Sequence, residues 1–208
     1  MLRVFCASLA LVTLFILGPA VGGVADANPA ASAFMREFGA RAIEELTGNA
    51  MAPAEREARF RQLLDEHFDM AAISKFALGR HWRSTTESQR RAFEQVHKDF
   101  IVHSYAARFA DYHGVGFQVV GSTNEASGVF IVHSRVRTSK TEEVLIDWHL
   151  RAAGDSFLIV DIVVEGVSMA VTQRSDFGSI IRSRGGIDGL IEALRAKNSE
   201  PVDSRPKS

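Results

Sequence analysis

Between residues 115 and 164 the hydrophobic period of this chain drops from the helical value to two, and it stays there through four successive segments. The first segment runs from Val115 to Val120, after Gly114 and around Gly116. The second, Val129 to Arg137, sets Phe130, Val132 and Val136 against His133, Arg135 and Arg137. The third, Glu142 to Arg151, is the cleanest: Val144, Ile146, Trp148 and Leu150 oppose Glu143, Asp147, His149 and Arg151. The fourth places Leu158, Val160, Ile162 and Val164 opposite Phe157, Ile159, Asp161 and Val163. Thr123-Asn124-Glu125, Ser139-Lys140-Thr141 and Ala153-Gly154-Asp155 are short polar connections of the hairpin kind. An antiparallel meander with one polar and one apolar face follows, and its apolar face needs helices to cover it.

Those helices lie on both sides of the meander, so the chain is α+β. Asn28-Pro29 combines a capping residue with a first-turn proline and opens a helix with Phe34, Phe38, Ile43 and Leu46 at helical spacing, stopped by Gly48-Asn49. Pro53 opens a second, with Phe60, Leu63, Leu64 and Phe68 apolar, and Asp69 caps a third that ends at Gly79. Thr86-Glu87-Ser88-Gln89 is a capping box. The helix it starts can run to Tyr112, about 39 Å at 1.5 Å per residue. Its apolar stripe is narrow up to Phe100 and then widens: Ile101, Tyr105, Phe109 and Tyr112 form one row, with Val102, Ala106 and Ala110 beside it. A helix apolar over so wide an arc is buried on more than one side. Two helices close the chain, one from near Ala170 to Arg184 and one from near Asp188, before a polar tail at residues 198–208 that is expected to be disordered.

At the N-terminus, Arg3 precedes an apolar run from Val4 to Leu17, broken by Gly18-Pro19 and followed by Ala25-Asp26-Ala27. This is the pattern of a secretory signal cleaved near Ala27, its apolar run being shorter than the roughly 20 residues a membrane span wants. The expected organisation is residues 1–27 as signal, 28–197 as one domain and 198–208 as tail. The net charge of −1 is unchanged by removing residues 1–27, which carry one base, Arg3, and one acid, Asp26. A near-neutral chain argues against nucleic acid as a partner. The one cysteine, Cys6, lies inside the signal, so the mature chain has no disulfide and no thiolate metal site.

No catalytic signature stands out. Gly166-Val167-Ser168-Met169-Ala170 has the strand–serine–helix order of a nucleophile elbow, but no histidine follows His149 to complete a triad. A serine there is better explained as the cap of the following helix, with Gly166 making the turn. His97 and His103 are six apart on a helix and face different ways. Asp147 and His149 share a strand face, with His133 across the hairpin, and are a candidate dyad or weak metal site set against the plainer reading of a solvated sheet face. Arg80-His81-Trp82-Arg83 offers arginines to a phosphate, against a packing role for Trp82 at a helix junction. What remains is more wide apolar surface than a small α+β domain needs, in a chain with an export signal. That surface either fills itself or encloses a cavity.

Phe68-Asp69, Leu78-Gly79-Arg80-His81-Trp82-Arg83, Thr86 to Phe93, Tyr105, Asp161 to Ser168, Gln173-Arg174-Ser175-Asp176-Phe177 and Gly186-Ile187-Asp188-Gly189-Leu190-Ile191 follow one another in order along the chain. Through this series, from Phe68-Asp69 to Lys197, the chain resembles the MlaC family of periplasmic phospholipid-binding proteins. His81 and His149 stand where relatives often carry Tyr or Arg. The resemblance implies a four- to five-stranded, curved, NTF2-like antiparallel sheet wrapped by N- and C-terminal helices around an apolar pocket. It implies a periplasmic carrier, not an enzyme, that holds phospholipid acyl chains and works without a cofactor or metal. The implied partners are an inner-membrane ABC transporter with an MCE-domain subunit and an outer-membrane lipoprotein–porin complex. A hopanoid-related lipid is the alternative cargo, and an NTF2-like small-molecule enzyme is the alternative of another class.

On that reading the pocket wall is expected to comprise Phe130, Val132, Ile146, Trp148, Leu150, Val160 and Ile162 from the sheet. Ile101, Tyr105, Phe109 and Met169 are expected to face them from the helices. At roughly 0.8 kcal/mol per CH₂, each long acyl chain faces about 12 kcal/mol of cost in water, so a carrier must supply a hydrocarbon environment.

Overall fold

In the computed structural model, residues 26–47, 51–111, 116–137 and 143–200 are described. The first 25 residues of the expected signal, the Gly48-Asn49 stop, Tyr112 to Val115, the Ser139-Lys140-Thr141 connection and tail residues 201–208 lie outside them.

The local signals for helix ends are used as the sequence suggests. Asn28 Oδ1 accepts from the Ala31 N–H at 3.0 Å and starts α1, Pro29–Leu46. Pro53 starts α2, Pro53–His67. Asp69 Oδ1 accepts from the Ala72 N–H at 3.0 Å and starts α3, Met70–Leu78, while Oδ2 takes the Arg151 guanidinium. Gly79, at φ 53°, ends α3 and leads into a 3₁₀ segment over Gly79–Ser84. The capping box is complete at the head of α4, Glu87–Tyr105: Thr86 Oγ1 accepts from the Gln89 N–H at 3.2 Å, and Gln89 Oε1 from the Thr86 N–H at 3.0 Å.

One expectation about α4 is corrected. The α-helix does not run on to Tyr112 but tightens into a 3₁₀ segment over Ala106–Asp111. The tighter turn seats Phe109 against Phe60 of α2, ring centroids 5.4 Å apart. The last two helices, α5 at Met169–Ser183 and α6 at Ile187–Asn198, follow the sequence reading closely. No helix among the described residues is long and apolar enough to cross a membrane.

The five strands are β1 Gly116–Asn124, β2 Val129–Arg137, β3 Glu143–Ala153, β4 Ser156–Val164 and β5 Val167–Ser168. They form one antiparallel sheet in sequence order, so the molecule is α+β with a five-stranded curved sheet, as expected. Thr123 and Asn124 belong to β1 rather than to a loop, and the turn falls at Glu125–Gly128, where Gly128 sits at φ 80°.

Two bulges bend the sheet and correct the expected strand parity. In β1 the register skips Val120, between Val119↔Ser134 and Gly121↔His133. In β4 it skips Val160, because Trp148 pairs with Ile162 but Leu150 pairs with Ile159. An extra residue turns the remainder of a strand to the other face. Leu158 is therefore not on the face of Ile162 and Val164. Phe157 and Ile159 take the inner side at the start of β4, and Ile159 is fully buried.

Two cores result. One joins α1 and α2 to the sheet through Met35, Leu46, Leu63, Val132, Leu150 and Ile159. The other joins α3 to α6 through Leu78, Phe93, Phe177, Ile181, Leu190 and Leu194. The close approach of α1 to the sheet depends on Gly39: a Cβ there would lie 2.3 Å from the Phe117 ring of β1.

Candidate functional site

Within the first of these cores, on the side toward α3, α4 and α5, the interior does not close. A cavity of about 300 Å³ lies between the bent sheet and helices α1 to α5. Its floor on the sheet is Phe117, Val136, Ile146, Trp148, Ile162 and Val164, with Val160 at the bulge. On the N-terminal side α1 contributes Phe38, Gly39, Ala42, Ile43 and Leu46, and α2 contributes Phe60, Leu63 and Leu64. Ile73 of α3, Ile101 and Tyr105 of α4, Phe109, and Met169, Ala170 and Gln173 of α5 close the other side. The surface exposed to this space is almost wholly hydrocarbon.

Trp148 shows how the sheet can present so large a ring to an apolar space. Its indole N–H donates to Ser134 Oγ at 2.8 Å, and Ser134 in turn donates to the Ile146 carbonyl at 3.1 Å. The polar edge is thereby satisfied within the sheet, and the ring packs edge-on against Phe38 and Phe117, centroids 5.6 and 6.1 Å apart.

The few polar groups of the wall are mostly consumed locally. Thr47 Oγ1 donates to the Ile43 carbonyl at 2.6 Å. The Asp161 carboxylate accepts from the Ser168 hydroxyl, from the Ala170 N–H at 2.9 Å and from the Ile162 N–H at 2.8 Å, tying the end of the sheet to the start of α5. Gln173 Oε1 is held by a deeply buried histidine, His97, whose Nε2 lies 2.8 Å away. The other ring nitrogen, Nδ1, lies 2.9 Å from Ser74 Oγ. Burial pushes the His97 pKa down to about 4, against a smaller opposing effect of the Gln173 hydrogen bond.

Eight of the eleven residues expected at the wall from sequence line the cavity: Ile101, Tyr105, Phe109, Ile146, Trp148, Val160, Ile162 and Met169. Phe130, Val132 and Leu150 lie elsewhere in the same core, where α1 covers the sheet, and Phe130 meets Phe157 edge-to-face at 5.5 Å. The α1, α2 and α3 wall was not assigned from sequence. Its apolar positions were visible as helical stripes, but a stripe does not say whether it meets side chains or empty space.

None of the other candidates lines the cavity. Ser168 is the N-cap of α5, accepting from the Val171 N–H at 3.0 Å, with its hydroxyl proton given to Asp161. The turn before it uses Gly166 at φ 79° and Glu165 at φ 49°; Glu165 is held in that conformation by paired hydrogen bonds with Leu145. His133 Nδ1 lies 2.7 Å from Asp147 Oδ1, on the strand face opposite to the cavity-lining Ile146 and Trp148. No cluster of three His, Cys, Asp or Glu suited to a metal ion occurs among the described residues. Trp82 packs on the helical core under the Arg90 guanidinium, 4.8 Å above its ring.

The fold also occurs in a solved structure. The chain is similar to the phospholipid-binding protein of Ralstonia solanacearum, solved in complex with a phospholipid, with a TM-score of 0.71 and 22% sequence identity. The match covers 81% of this chain and 97% of that one. Residues 37–196 match the family model described as MlaC protein, a span that takes in the cavity walls from Phe38 to Gln173, and the chain therefore belongs to the MlaC family.

Proposed function

We propose that this protein is a phospholipid carrier that holds acyl chains in the cavity between its sheet and helices. The observation that carries this reading is an interior space of about 300 Å³ walled almost wholly by hydrocarbon, left open within the core that joins α1 and α2 to the sheet. Unfilled space of this kind forfeits contacts, so a fold that keeps it is built to have it occupied. Family membership and the phospholipid complex of the Ralstonia relative support the class of occupant. Within the cavity, Ile101, Tyr105, Phe109, Ile146, Trp148, Val160, Ile162 and Met169 contact the chains, while Phe130, Val132 and Leu150 buttress the sheet behind them.

The work is binding and transport rather than catalysis. The protein, exported through residues 1–27 to the periplasm, exchanges lipid with an inner-membrane ABC transporter bearing an MCE-domain subunit. At the other membrane it exchanges lipid with a lipoprotein–porin complex. Each chain transferred avoids about 12 kcal/mol of exposure to water.

Native mass spectrometry of the protein purified from a periplasm, followed by extraction and identification of bound material, tests the reading. Phospholipid is the expected cargo, and a hopanoid would replace it with the alternative lipid class. The Ile146→Asp variant is expected to be secreted without lipid. An apo mass that does not change after incubation with phospholipid vesicles, or lipid retained at wild-type level in Ile146→Asp, would overturn the assignment.

A further inference from the structure

One side chain in the hydrocarbon wall is oriented by a buried relay and has donors to spare. Gln173 lines the cavity from α5, and its Oε1 sits 2.8 Å from His97 Nε2. A carbonyl oxygen only accepts, so His97 carries its proton on Nε2. Its Nδ1 is then an acceptor, and the Ser74 hydroxyl donates to it at 2.9 Å. The relay runs in one direction, from Ser74 of α3 through His97 of α4 to Gln173 of α5.

The imidazole at its centre cannot swing. It is fully buried, stacked on Phe93 at 5.2 Å and met edge-on by Phe177 at 5.3 Å. Holding the Gln173 oxygen fixes where its amide nitrogen points. Neither N–H of that nitrogen has a partner among the described residues. The other polar side chains of the wall differ: Thr47 and Asp161 are engaged by their own neighbours.

The half-buried Gln173 leaves its amide N–H₂ accessible rather than sealed in, so an acceptor oxygen entering the cavity can meet it. We propose that Gln173, aimed by the Ser74–His97 relay, is a specificity-determining contact. Its amide N–H groups bind an acceptor oxygen of the ligand where the polar head joins the acyl chains. This inference rests on the phospholipid reading and adds to it a named polar contact. The ligand chemistry it selects is an ester carbonyl or a phosphodiester oxygen, and it discriminates against purely hydrocarbon cargo. His97 and Ser74 are positioning residues that act only through Gln173.

The test is a binding titration of the delipidated full chain with three probes: dioleoyl phosphatidylglycerol, its ether-linked analogue lacking both ester carbonyls, and a pyrene-labelled alkane. In Gln173→Leu, affinity for the diester lipid is expected to fall about tenfold, the size of one lost hydrogen bond, with the alkane unchanged. If wild type already loses that factor with the ether analogue and Gln173→Leu loses no more, the acceptor is the carbonyl. If both lipids weaken equally in the variant, it is the phosphate. Ser74→Ala should weaken the diester lipid in the wild-type background and add nothing in Gln173→Leu. Independently of any substitution, the Gln173 side-chain amide resonances of ¹⁵N-labelled wild type should move on adding the diester lipid and stay put with the alkane. Equal affinity of wild type and Gln173→Leu for phosphatidylglycerol, an equal loss for the alkane, or unmoved amide resonances would overturn the inference and leave the carrier reading standing. Wild type that binds none of the lipids would sink the carrier reading itself.

Discussion

At the scale of single residues, His97 has the clearest physical consequence. Its pKa of about 4 lies below the ordinary value of 6.5, because burial disfavours the charged ring. A depressed folded-state pKa means that the unfolded chain takes up a proton first as pH falls. The contribution of neutral His97 is therefore complete above about pH 6.5 and is lost as pH drops through 4. The loss is on the order of 3 kcal/mol at 1.36 kcal/mol per pH unit. Urea unfolding at a series of pH values should show stability declining across that window in wild type and a flatter profile in His97→Gln. The exposed carboxylate of Glu66 acts lower: a hydrogen bond from Arg41 holds it below the usual carboxylate range, so its contribution fades at more acidic pH. None of this was visible in sequence. His97 is one of the chain's seven histidines and sits on an amphipathic helix, while its partners lie 23 and 76 residues away.

At the scale of elements, short-range signals worked and register did not. The Thr86–Gln89 capping box, the Asn28-Pro29 start and the Ser168 cap each satisfy backbone groups within three residues, so sequence neighbours are enough to specify them. The bulges at Val120 and Val160 were not legible. Phe157 to Val164 is apolar at every position but Asp161, so the strand offers no polar marker to reveal where its parity reverses. The same reversal explains why the face expected from alternation held Leu158 while the structure buries Ile159. Packing of α1 on β1 was equally invisible, because it is set by the absence of a side chain. Gly39→Val should push against the Phe117 ring, which lies 2.3 Å from any added Cβ, and cost about 2 to 3 kcal/mol. Chemical denaturation measures this directly, and an unchanged midpoint would mean that α1 shifts freely on the sheet.

At the scale of the whole molecule, the decisive property is that the core of α3 to α6 closes while the core joining α1 and α2 to the sheet leaves a space. Ala42 of α1 faces that region with a side chain of one methyl. Ala42→Trp should fill much of it, giving a protein purified without lipid whose melting temperature stays within a few degrees of delipidated wild type. A protein that still carries lipid would show that the chains lie elsewhere. The wild-type chain, by contrast, should gain stability with lipid concentration, as any ligand bound by the folded state alone requires.

The amino-acid sequence by itself determined the class of fold, the order of its elements, most helix ends and the apolar faces that build the interior. All of these follow from hydrogen bonds and periodicities local to a few residues. Which of those faces would meet and which would stay apart was decided only in three dimensions. Phe130 and Val132 of β2 and Leu150 of β3 share the inner face of the sheet with Ile146 and Trp148 of β3, yet only the last two line the cavity. The polar contact offered by Gln173 was likewise a tertiary product: three helices had to pack before Ser74, His97 and Gln173 fell into line. Hydrophobicity says that a face must leave water, but only the packing of one bent sheet against five helices says whether it does so against protein or around a space for another molecule.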